Sequence, residues 1–179
     1  MTAPPEHQEP HRRYAEAVLF TVRKHATQTR RDGSPYVAHP LRVAESLRSI
    51  GGIEDMNVIL AGLMHDLIED TECEWATIAK RFGEPVADLV AILSGDMRLP
   101  KVQRREEVVD RIRAAPTEAK AVRLADRLDN LADMKGFSES RRKEYIRDSW
   151  KILEACAGAN PGLEKALEAT IRRLEAENP

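Results

Sequence analysis

The sequence has few cysteines, no long apolar run and no marked excess of either charge. Two cysteines in 179 residues are too few for a disulfide framework, and reduced thiols indicate a cytoplasmic protein. No run reaches the roughly 18 apolar residues of a membrane span, and the N-terminal MTAPPEHQEP lacks the features of a signal peptide. A net charge of −2 provides no general attraction to nucleic acid. We therefore expect neither a membrane nor a nucleic acid as partner.

The remaining composition is that of a globular protein with a substantial core. Hydrophobic residues make up 42% of the chain and charged residues 32%. Apolar residues recur every three or four positions, and no segment alternates with a period of two for long enough to predict a strand. We therefore predict an all-α fold, a compact bundle of about eight to nine helices. Residues 1–10 are expected to form a disordered tail, and residues 11–179 a single domain.

Helix boundaries follow from capping residues and apolar stripes. Asp55 is the predicted N-cap of a central helix, and Asn160 followed by Pro161 is the predicted start of the last one. In the first helix, the stripe predicted to face inward contains Tyr14, Val18 and Val22, with Leu19 beside it. The other helices are predicted over approximately 11–26, 40–50, 74–82, 84–93, 103–114, 117–134 and 140–155.

The stretch Val58–Thr71, VILAGLMHDLIEDT, combines an apolar helix with acid/base groups. The seven residues before His65 carry no polar side chain, so this helix should run through the centre of the core. It continues into His65, Asp66, Glu69 and Asp70, and carboxylates beside a core are costly unless a cation or hydrogen bonds compensate them. On one continuous helix His65 would stack with Glu69, and Asp66 with Asp70. Taken alone, these charges would also fit an ordinary helix end that reaches solvent.

Two further residues favour a metal site over a solvated helix end. His39 in PYVAHP and Asp126 in RLADRLDN occur in otherwise apolar surroundings. Together with His65 and Asp66 they make a set of two imidazoles and two carboxylates. Mixed nitrogen and oxygen ligation suits a divalent transition ion such as manganese, iron or zinc, and such an ion would cancel the buried negative charge.

The acidic pair after His65 and Asp66 offers a general base. A bound ion lowers the pKa of a water ligand, and a carboxylate one helical turn from the ligands is well placed to accept the proton of that water. Glu69 and Asp70 both meet this description. The sequence does not assign the proton to one of them, because neighbouring carboxylates titrate as a coupled pair.

Three sequence blocks, GSPYVAHPLRVAESL, AGLMHDLIEDT and VRLADRLDNLADM, carry a family resemblance. In this order and at these spacings they resemble HD-domain phosphohydrolases, specifically the hydrolase domain of the RelA/SpoT family and the stand-alone small alarmone hydrolases. The resemblance runs from about residue 10 to the end of the chain, which implies that residues 11–179 are one HD hydrolase domain.

This resemblance implies a metal centre and a reaction. It implies one metal ion, usually Mn²⁺, although other transition metals would fit, held by His39, His65, Asp66 and Asp126. It also implies that Glu69 and Asp70 orient or activate the attacking water. The family's reaction removes the 3′-pyrophosphate from guanosine tetra- or pentaphosphate (ppGpp or pppGpp), giving GDP or GTP and pyrophosphate. The implied partner is therefore a small nucleotide.

Basic and aromatic side chains are predicted to bind that nucleotide. Arg30 and Arg31 precede the His39 block where similar hydrolases use basic side chains on guanine and phosphate, and a guanidinium plane can serve both. Asn130 and Tyr145 match family positions that contact the nucleotide. Arg141 provides a further candidate charge for phosphate, although a basic run on an amphipathic helix is more often a solvated face.

The loop SGDMRLPK departs from the family pattern. Many relatives have a lysine directly after the aspartate, whereas this chain has Met97 followed by Arg98. Either Arg98 takes over that charge or the pocket serves a different phosphate arrangement. A second hypothesis is therefore an HD-type hydrolase for another nucleotide, such as a nucleoside monophosphate or the 2′-phosphate of NADPH. A third, less favoured hypothesis is a non-catalytic helical binding module. The sequence leaves the native metal and homo-oligomerisation open.

Overall fold

The described part of the chain is helical, as the sequence predicts. The computed structural model describes residues 9–96, 98–134 and 136–177, without the side chains at 101, 102, 105 and 106. Within these ranges the only β-type pairing is an isolated bridge between Thr29 and Pro35. The described residues form ten helices: α1 (Glu9–Lys24), α2 (Ala38–Ser49), α3 (Met56–Met64), α4 (Leu67–Asp70), α5 (Trp75–Phe82), α6 (Glu84–Ser94), α7 (Lys101–Arg113), α8 (Thr117–Ala132), α9 (Glu139–Ala155) and α10 (Pro161–Glu177).

Helix α3 is the centre of the bundle, as its uniformly apolar sequence predicts. Every residue from Val58 to Met64 is buried, and α3 packs against α1, α2, α6 and α8. Its start is capped by Asp55, whose side chain accepts a hydrogen bond from the Asn57 amide at 2.8 Å. This packing brings the C-terminal end of α3 to the N-terminal part of α2 and to the middle of α8.

Gly62 allows α2 and α3 to approach closely. A Cβ atom at this position would lie 2.5 Å from Leu47 Cδ1 and 3.7 Å from the Ala44 Cα. The two helices therefore cross where both carry a small residue, and a side chain larger than hydrogen at Gly62 would require the buried Leu47 to move.

The predicted continuous helix over 58–71 is wrong at one point. Helix α3 ends at Met64, and the chain turns through His65 and Asp66 before α4 begins. The Gly62 carbonyl, which is the acceptor for the Asp66 amide in a continuous helix, accepts a hydrogen bond from His65 Nδ1 at 2.9 Å. Asp66 has φ −97° and ψ −2°, in the sparsely allowed bridge region. The interruption turns both side chains toward α2 and α8.

The inward stripe predicted for the first helix is also wrong in part. Leu19 and Val22 are 57% and 37% exposed, whereas the buried residues of α1 are Ala17, Phe20 and Thr21. The aromatic ring of Phe20 packs against that of Phe82 on α5, with centroids 5.4 Å apart. Because of this contact, the face of α1 that carries Phe20 is buried instead of the predicted stripe.

The two ends of the chain match their predictions to different extents. Helix α1 begins at Glu9, two residues before the predicted start, and the rest of the predicted tail, residues 1–8, lies outside the described residues. At the other end, Asn160 Oδ1 accepts a hydrogen bond from the Leu163 amide at 3.0 Å, so the predicted N-cap of the last helix is confirmed. Among the described residues, no helix combines the length and apolar character that crossing a membrane requires.

Candidate active site

Three segments bring the four predicted metal ligands together: α2 supplies His39, the turn between α3 and α4 supplies His65 and Asp66, and α8 supplies Asp126. The Nε2 atoms of the two histidines lie 3.2 Å apart. Asp126 Oδ1 lies 3.3 Å from His39 Nε2 and 3.6 Å from His65 Nε2. Asp66 Oδ2 lies 2.9 Å from His65 Nε2 and 3.5 Å from His39 Nε2. Both histidines and Asp126 are buried.

The hydrogen bond at Nδ1 of each imidazole determines whether Nε2 presents a proton or a lone pair. His39 Nδ1 donates to Asp129 Oδ2 at 2.6 Å, and His65 Nδ1 donates to the Gly62 carbonyl at 2.9 Å. A neutral imidazole with a proton on Nδ1 has only a lone pair on Nε2. When both imidazoles are neutral, two such nitrogens and the oxygens of two carboxylates face one another with no proton donor of their own between them. This donor set fits a divalent transition ion.

The same convergence of acceptors raises the pKa of both histidines. Burial alone would lower the pKa of His39, but hydrogen bonds with Asp126, Asp129 and Asp66 outweigh it and raise the pKa to about 11. For His65, burial is outweighed by the charge of Asp66 and by hydrogen bonds with Asp126 and Asp66, which raise the pKa to about 9. The centre thus attracts positive charge strongly, and protons and a metal ion compete for it.

Tyr36 links Asp66, a predicted metal ligand, to the acidic pair. Its hydroxyl donates to Asp66 Oδ2 at 2.5 Å and lies 3.2 Å from Asp70 Oδ2. Burial, the charge of Asp66 and this hydrogen bond raise the pKa of Tyr36, so the phenol keeps its proton and acts as a donor. Sequence reasoning missed this residue. Its position in PYVAHP, three residues before His39, was the available signal.

Glu69 and Asp70 lie beside the predicted ligands in a cavity of about 270 Å³, with Glu69 half-buried and Asp70 more exposed. Burial and the neighbouring charge of Asp66 raise the pKa of both carboxyl groups. Arg104 Nη2, 3.9 Å from Glu69 Oε1, acts against this shift for Glu69. The structure therefore brings both predicted base candidates to the same opening as the predicted metal ligands.

Four arginines from α7 and α8 also line this cavity, and none of them was predicted there: Arg104, Arg111, Arg123 and Arg127. Arg123 donates to Asp126 Oδ2 at 2.9 Å and to the Leu93 carbonyl at 2.7 Å. A Cβ atom at Gly95, where φ is +78°, would lie 2.7 Å from Arg111 Nη1. Glycine at position 95 therefore leaves the space that the Arg111 guanidinium occupies at the edge of the cavity.

Two of the predicted substrate-binding residues, Asn130 and Tyr145, line the cavity. Asn130 Nδ2 donates to Asp126 Oδ1 at 2.5 Å, and the guanidinium of Arg127 lies 4.3 Å from the centre of the Tyr145 ring. The side chain of Arg30, by contrast, is 9% exposed and bonds to protein groups. It forms an ion pair with Asp133 and donates to Asn130 Oδ1 at 3.1 Å.

The other predicted substrate-binding arginines are not among the described residues that line the cavity. The guanidinium groups of Arg31 and Arg141 lie 4.6 Å and 4.9 Å from the centre of the Phe137 ring. Arg98 has a side chain 90% exposed and forms an ion pair with Asp96 at 2.7 Å. Met97, which replaces the lysine of many relatives, lies outside the described residues.

Comparison with known proteins agrees with this geometry. Human MESH1, named guanosine-3′,5′-bis(diphosphate) 3′-pyrophosphohydrolase, is 38% identical over 88% of this chain and 92% of its own length. An Aquifex aeolicus enzyme with the same activity in its name is 35% identical over 86% of this chain, but over only 22% of its own length. The solved structure of a metazoan ortholog of SpoT that hydrolyses ppGpp has a TM-score of 0.86 at 30% identity, covering 97% of this chain and 98% of that one.

The family assignment rests on most of the chain. The sequence matches the HD domain family over residues 17–159, a range that contains all four proposed ligands and both acidic candidates. This range begins within α1 and ends just before α10. The chain belongs to the HD domain family.

Proposed function

We propose that this protein is a metal-dependent hydrolase that removes the 3′-pyrophosphate of ppGpp or pppGpp, giving GDP or GTP and pyrophosphate. The observation that carries the proposal is the pair of Nε2 atoms of His39 and His65, 3.2 Å apart, with Asp66 and Asp126 beside them at the edge of an arginine-lined cavity. Human MESH1, which carries this activity in its name, supports the choice of substrate.

The proposed ion is Mn²⁺, held by His39, His65, Asp66 and Asp126. When bound, a divalent ion lowers the pKa of a coordinated water and offsets negative charge on the phosphate that reacts. The chain holds its donors ready for such an ion, because Asn130 and Arg123 each donate to one oxygen of Asp126. The side chain of Asp126 is thereby restrained before any ion arrives.

We propose Glu69 as the general base and Asp70 as the neighbouring carboxylate whose charge helps to raise the pKa of Glu69. The raised pKa of the Glu69 carboxyl, caused by burial and by the charges of Asp66 and Asp70, makes it a better proton acceptor near neutral pH. Asp70 is held at two points. The Tyr36 hydroxyl lies 3.2 Å from Asp70 Oδ2, and Gln28 Nε2 donates to the Asp70 carbonyl at 2.6 Å.

The arginines that line the cavity, here called the cationic wall, support a substrate with several phosphates. They are Arg104, Arg111, Arg123 and Arg127. Within the described part of the chain, Arg127 Nε is buried without a hydrogen-bond partner, and no ion pair of Arg127 is formed. A buried guanidinium of this kind favours an anionic ligand, because bonds from arginine to phosphate are strong and directional. With Arg104, Arg111 and Arg123 in the same wall, the cavity suits a polyphosphate better than a nucleoside monophosphate.

We also propose that residues 11–179 act as one hydrolase domain in the cytoplasm. The buried core extends as one cluster from Ala17 on α1 to Leu174 on α10. Cys73 and Cys156 are free and buried, which suits a reducing compartment.

The experiment that tests the function is pyrophosphate release by the purified protein, with and without Mn²⁺, from ppGpp, pppGpp, GMP and NADPH. We expect Mn²⁺-dependent release of pyrophosphate from the two guanosine polyphosphates and no phosphate release from GMP or NADPH. Asp66→Ala should be inactive, whereas Asp110→Asn, an exposed aspartate on α7, serves as the matched control. Phosphate release from NADPH with no turnover of ppGpp would overturn the proposal.

A further inference from the structure

Asp129 is a buried carboxylate at the rear of the metal centre, one helical turn after Asp126 on α8. Its Oδ2 atom accepts the hydrogen bond from His39 Nδ1 at 2.6 Å. Arg42 donates to both oxygens of Asp129, from Nε at 2.6 Å and from Nη2 at 3.1 Å. Arg30 Nη1 lies 3.9 Å from Oδ2. The carboxylate is therefore held on one side by guanidinium groups and faces His39 on the other.

The hydrogen bond with Asp129 determines which nitrogen of His39 faces the other ligands. A carboxylate acceptor at Nδ1 keeps the proton on that atom, so the lone pair of Nε2 points to the centre. His65 is oriented by a neutral acceptor, the Gly62 carbonyl. The two imidazoles thus differ in their second partner, and only His39 has a charged one. A charged partner at Nδ1 raises the basicity of Nε2, so that Nε2 binds a metal cation more strongly.

The other contacts of Asp129 do not account for its burial. The Arg42 side chain is 49% exposed, and an ion pair with an exposed arginine contributes little to folding. Arg30 already has a carboxylate partner in Asp133. The contact with His39 is the one in which both groups are buried and close. This arrangement indicates that the carboxylate serves the imidazole.

We propose that Asp129 is a positioning residue of the metal centre: it holds His39 in the Nδ1-protonated form and thereby sets the affinity of the site for a divalent ion. The inference rests on the proposed metal site and not on the identity of the nucleotide. In the sequence, Asp129 stands in RLADRLDN three residues after the ligand Asp126, which is the spacing of neighbours on one helical face.

The test measures binding of the metal alone. Metal-free wild-type protein, Asp129→Asn and the exposed control Asp110→Asn are titrated with Mn²⁺ against a competing chelator. The asparagine has the same shape but no charge, and we expect affinity to fall about 10- to 100-fold. The control should bind as the wild type does. Equal affinity in all three proteins, with Asp129→Asn folded by circular dichroism, would overturn the proposal.

A second variant separates the imidazole contact from the ion pair. Arg42→Gln keeps the Asp129 carboxylate and removes only its exposed partner, so we expect affinity to fall at most about fivefold. A loss in Arg42→Gln as large as that in Asp129→Asn would assign the effect to the ion pair and overturn the proposal.

Imidazole NMR of the Zn²⁺-loaded wild-type protein gives a readout that needs no variant. Long-range ¹H–¹⁵N spectra report which ring nitrogen of His39 carries the proton. We expect metal on Nε2 and a hydrogen-bonded proton on Nδ1, and metal on Nδ1 would overturn the proposal even if Asp129→Asn failed to fold. A protein that passes both tests but does not hydrolyse ppGpp would overturn the proposed function and leave this inference standing.

Discussion

The hydroxyl of Tyr36 donates a hydrogen bond to Asp66 Oδ2 at 2.5 Å while lying 3.2 Å from Asp70 Oδ2. A phenol has one proton, so it can bond to only one of these carboxylates at a time. Tyr36 is thus the direct connection between a proposed metal ligand and the acidic pair. It stands in the loop before α2, and its ring contacts the imidazole of His39 edge-on, with centroids 5.7 Å apart.

Removal of the Tyr36 hydroxyl should weaken catalysis more than folding. In Tyr36→Phe the ring contact with His39 remains, but Asp66 and Asp70 lose their shared donor. We expect kcat/KM for ppGpp to fall about 10- to 100-fold, the range for groups that orient metal ligands. Steady-state kinetics at saturating Mn²⁺ measure this, with Tyr14→Phe on α1 as control. A variant with unchanged kcat/KM would show that the hydrogen bond has no catalytic role.

Substitutions at Glu69 and Asp66 should separate proton transfer from metal binding. Glu69→Gln retains size and removes the base, so we expect kcat to fall about 10²- to 10⁴-fold with Mn²⁺ affinity unchanged. Asp66→Ala should lose both metal and turnover. Metal content and kcat are measured on the same preparations. A Glu69→Gln enzyme with wild-type kcat would exclude Glu69 as the base.

The activity should depend on pH through Glu69. The base acts only when deprotonated, and its carboxyl pKa is raised by burial and by Asp66 and Asp70. The rate should therefore rise with pH over a range above the usual glutamate value of about 4.3. Arg104 lowers this pKa, so Arg104→Gln should shift the acidic limb of the kcat/KM profile to higher pH. A shift to lower pH would contradict the assignment.

Arg127 should contribute to substrate binding through charge. In Arg127→Gln we expect KM for ppGpp to rise about 10- to 100-fold, the effect of losing a hydrogen bond to a charged group, with a smaller change in kcat. Arg113→Gln, an exposed arginine on α7, is the matched control. If KM stays constant while the thermal stability falls, Arg127 serves the packing of Tyr145 alone.

A bound ion should stabilise the fold. The donors of α2, the turn before α4 and α8 meet at one point, so an ion that binds there favours the folded state by mass action. At Mn²⁺ concentrations about 100-fold above Kd, we expect the midpoint of thermal unfolding to rise by on the order of 5–10 °C. In Asp126→Asn the midpoint should respond little to Mn²⁺. An unchanged midpoint in the wild type would argue against a site that spans these elements.

The parts of the protein that the sequence predicted well are those specified by local patterns. The apolar run before His65 predicts the central helix, and the three sequence blocks predict that His39, His65, Asp66 and Asp126 meet, as they do. The interruption of the helix after Met64 was not predicted, because it depends on the His65 side chain bonding to the Gly62 carbonyl. The spacing of apolar residues does not reveal such competition between a side chain and a backbone amide for one carbonyl.

The cationic wall was beyond sequence reasoning for a different reason. Charged residues on an amphipathic helix such as α7 are typical of a solvated face. Their role depends on how α7 packs against α8 and α9, and apolar periodicity within a helix does not specify that packing. Arg123 could have been suspected, since it precedes the proposed ligand Asp126 by three residues on one helical face. The outcome for Arg30 is the opposite. Its position before the His39 block predicted a contact with the substrate, but its partners in the structure are Asp133 and Asn130.

The close crossing at Gly62 and Ala44 makes a core position part of the support of the candidate site. Gly62 precedes His65 by less than one helical turn, and Ala44 lies further along the helix that carries His39. The Gly62 carbonyl also accepts the hydrogen bond of His65 Nδ1. A methyl group at Gly62 would lie 2.5 Å from Leu47 Cδ1, so it would force repacking between the two helices that lead to the histidines. A residue without a side chain thus contributes to the arrangement of the imidazoles by the space that it leaves.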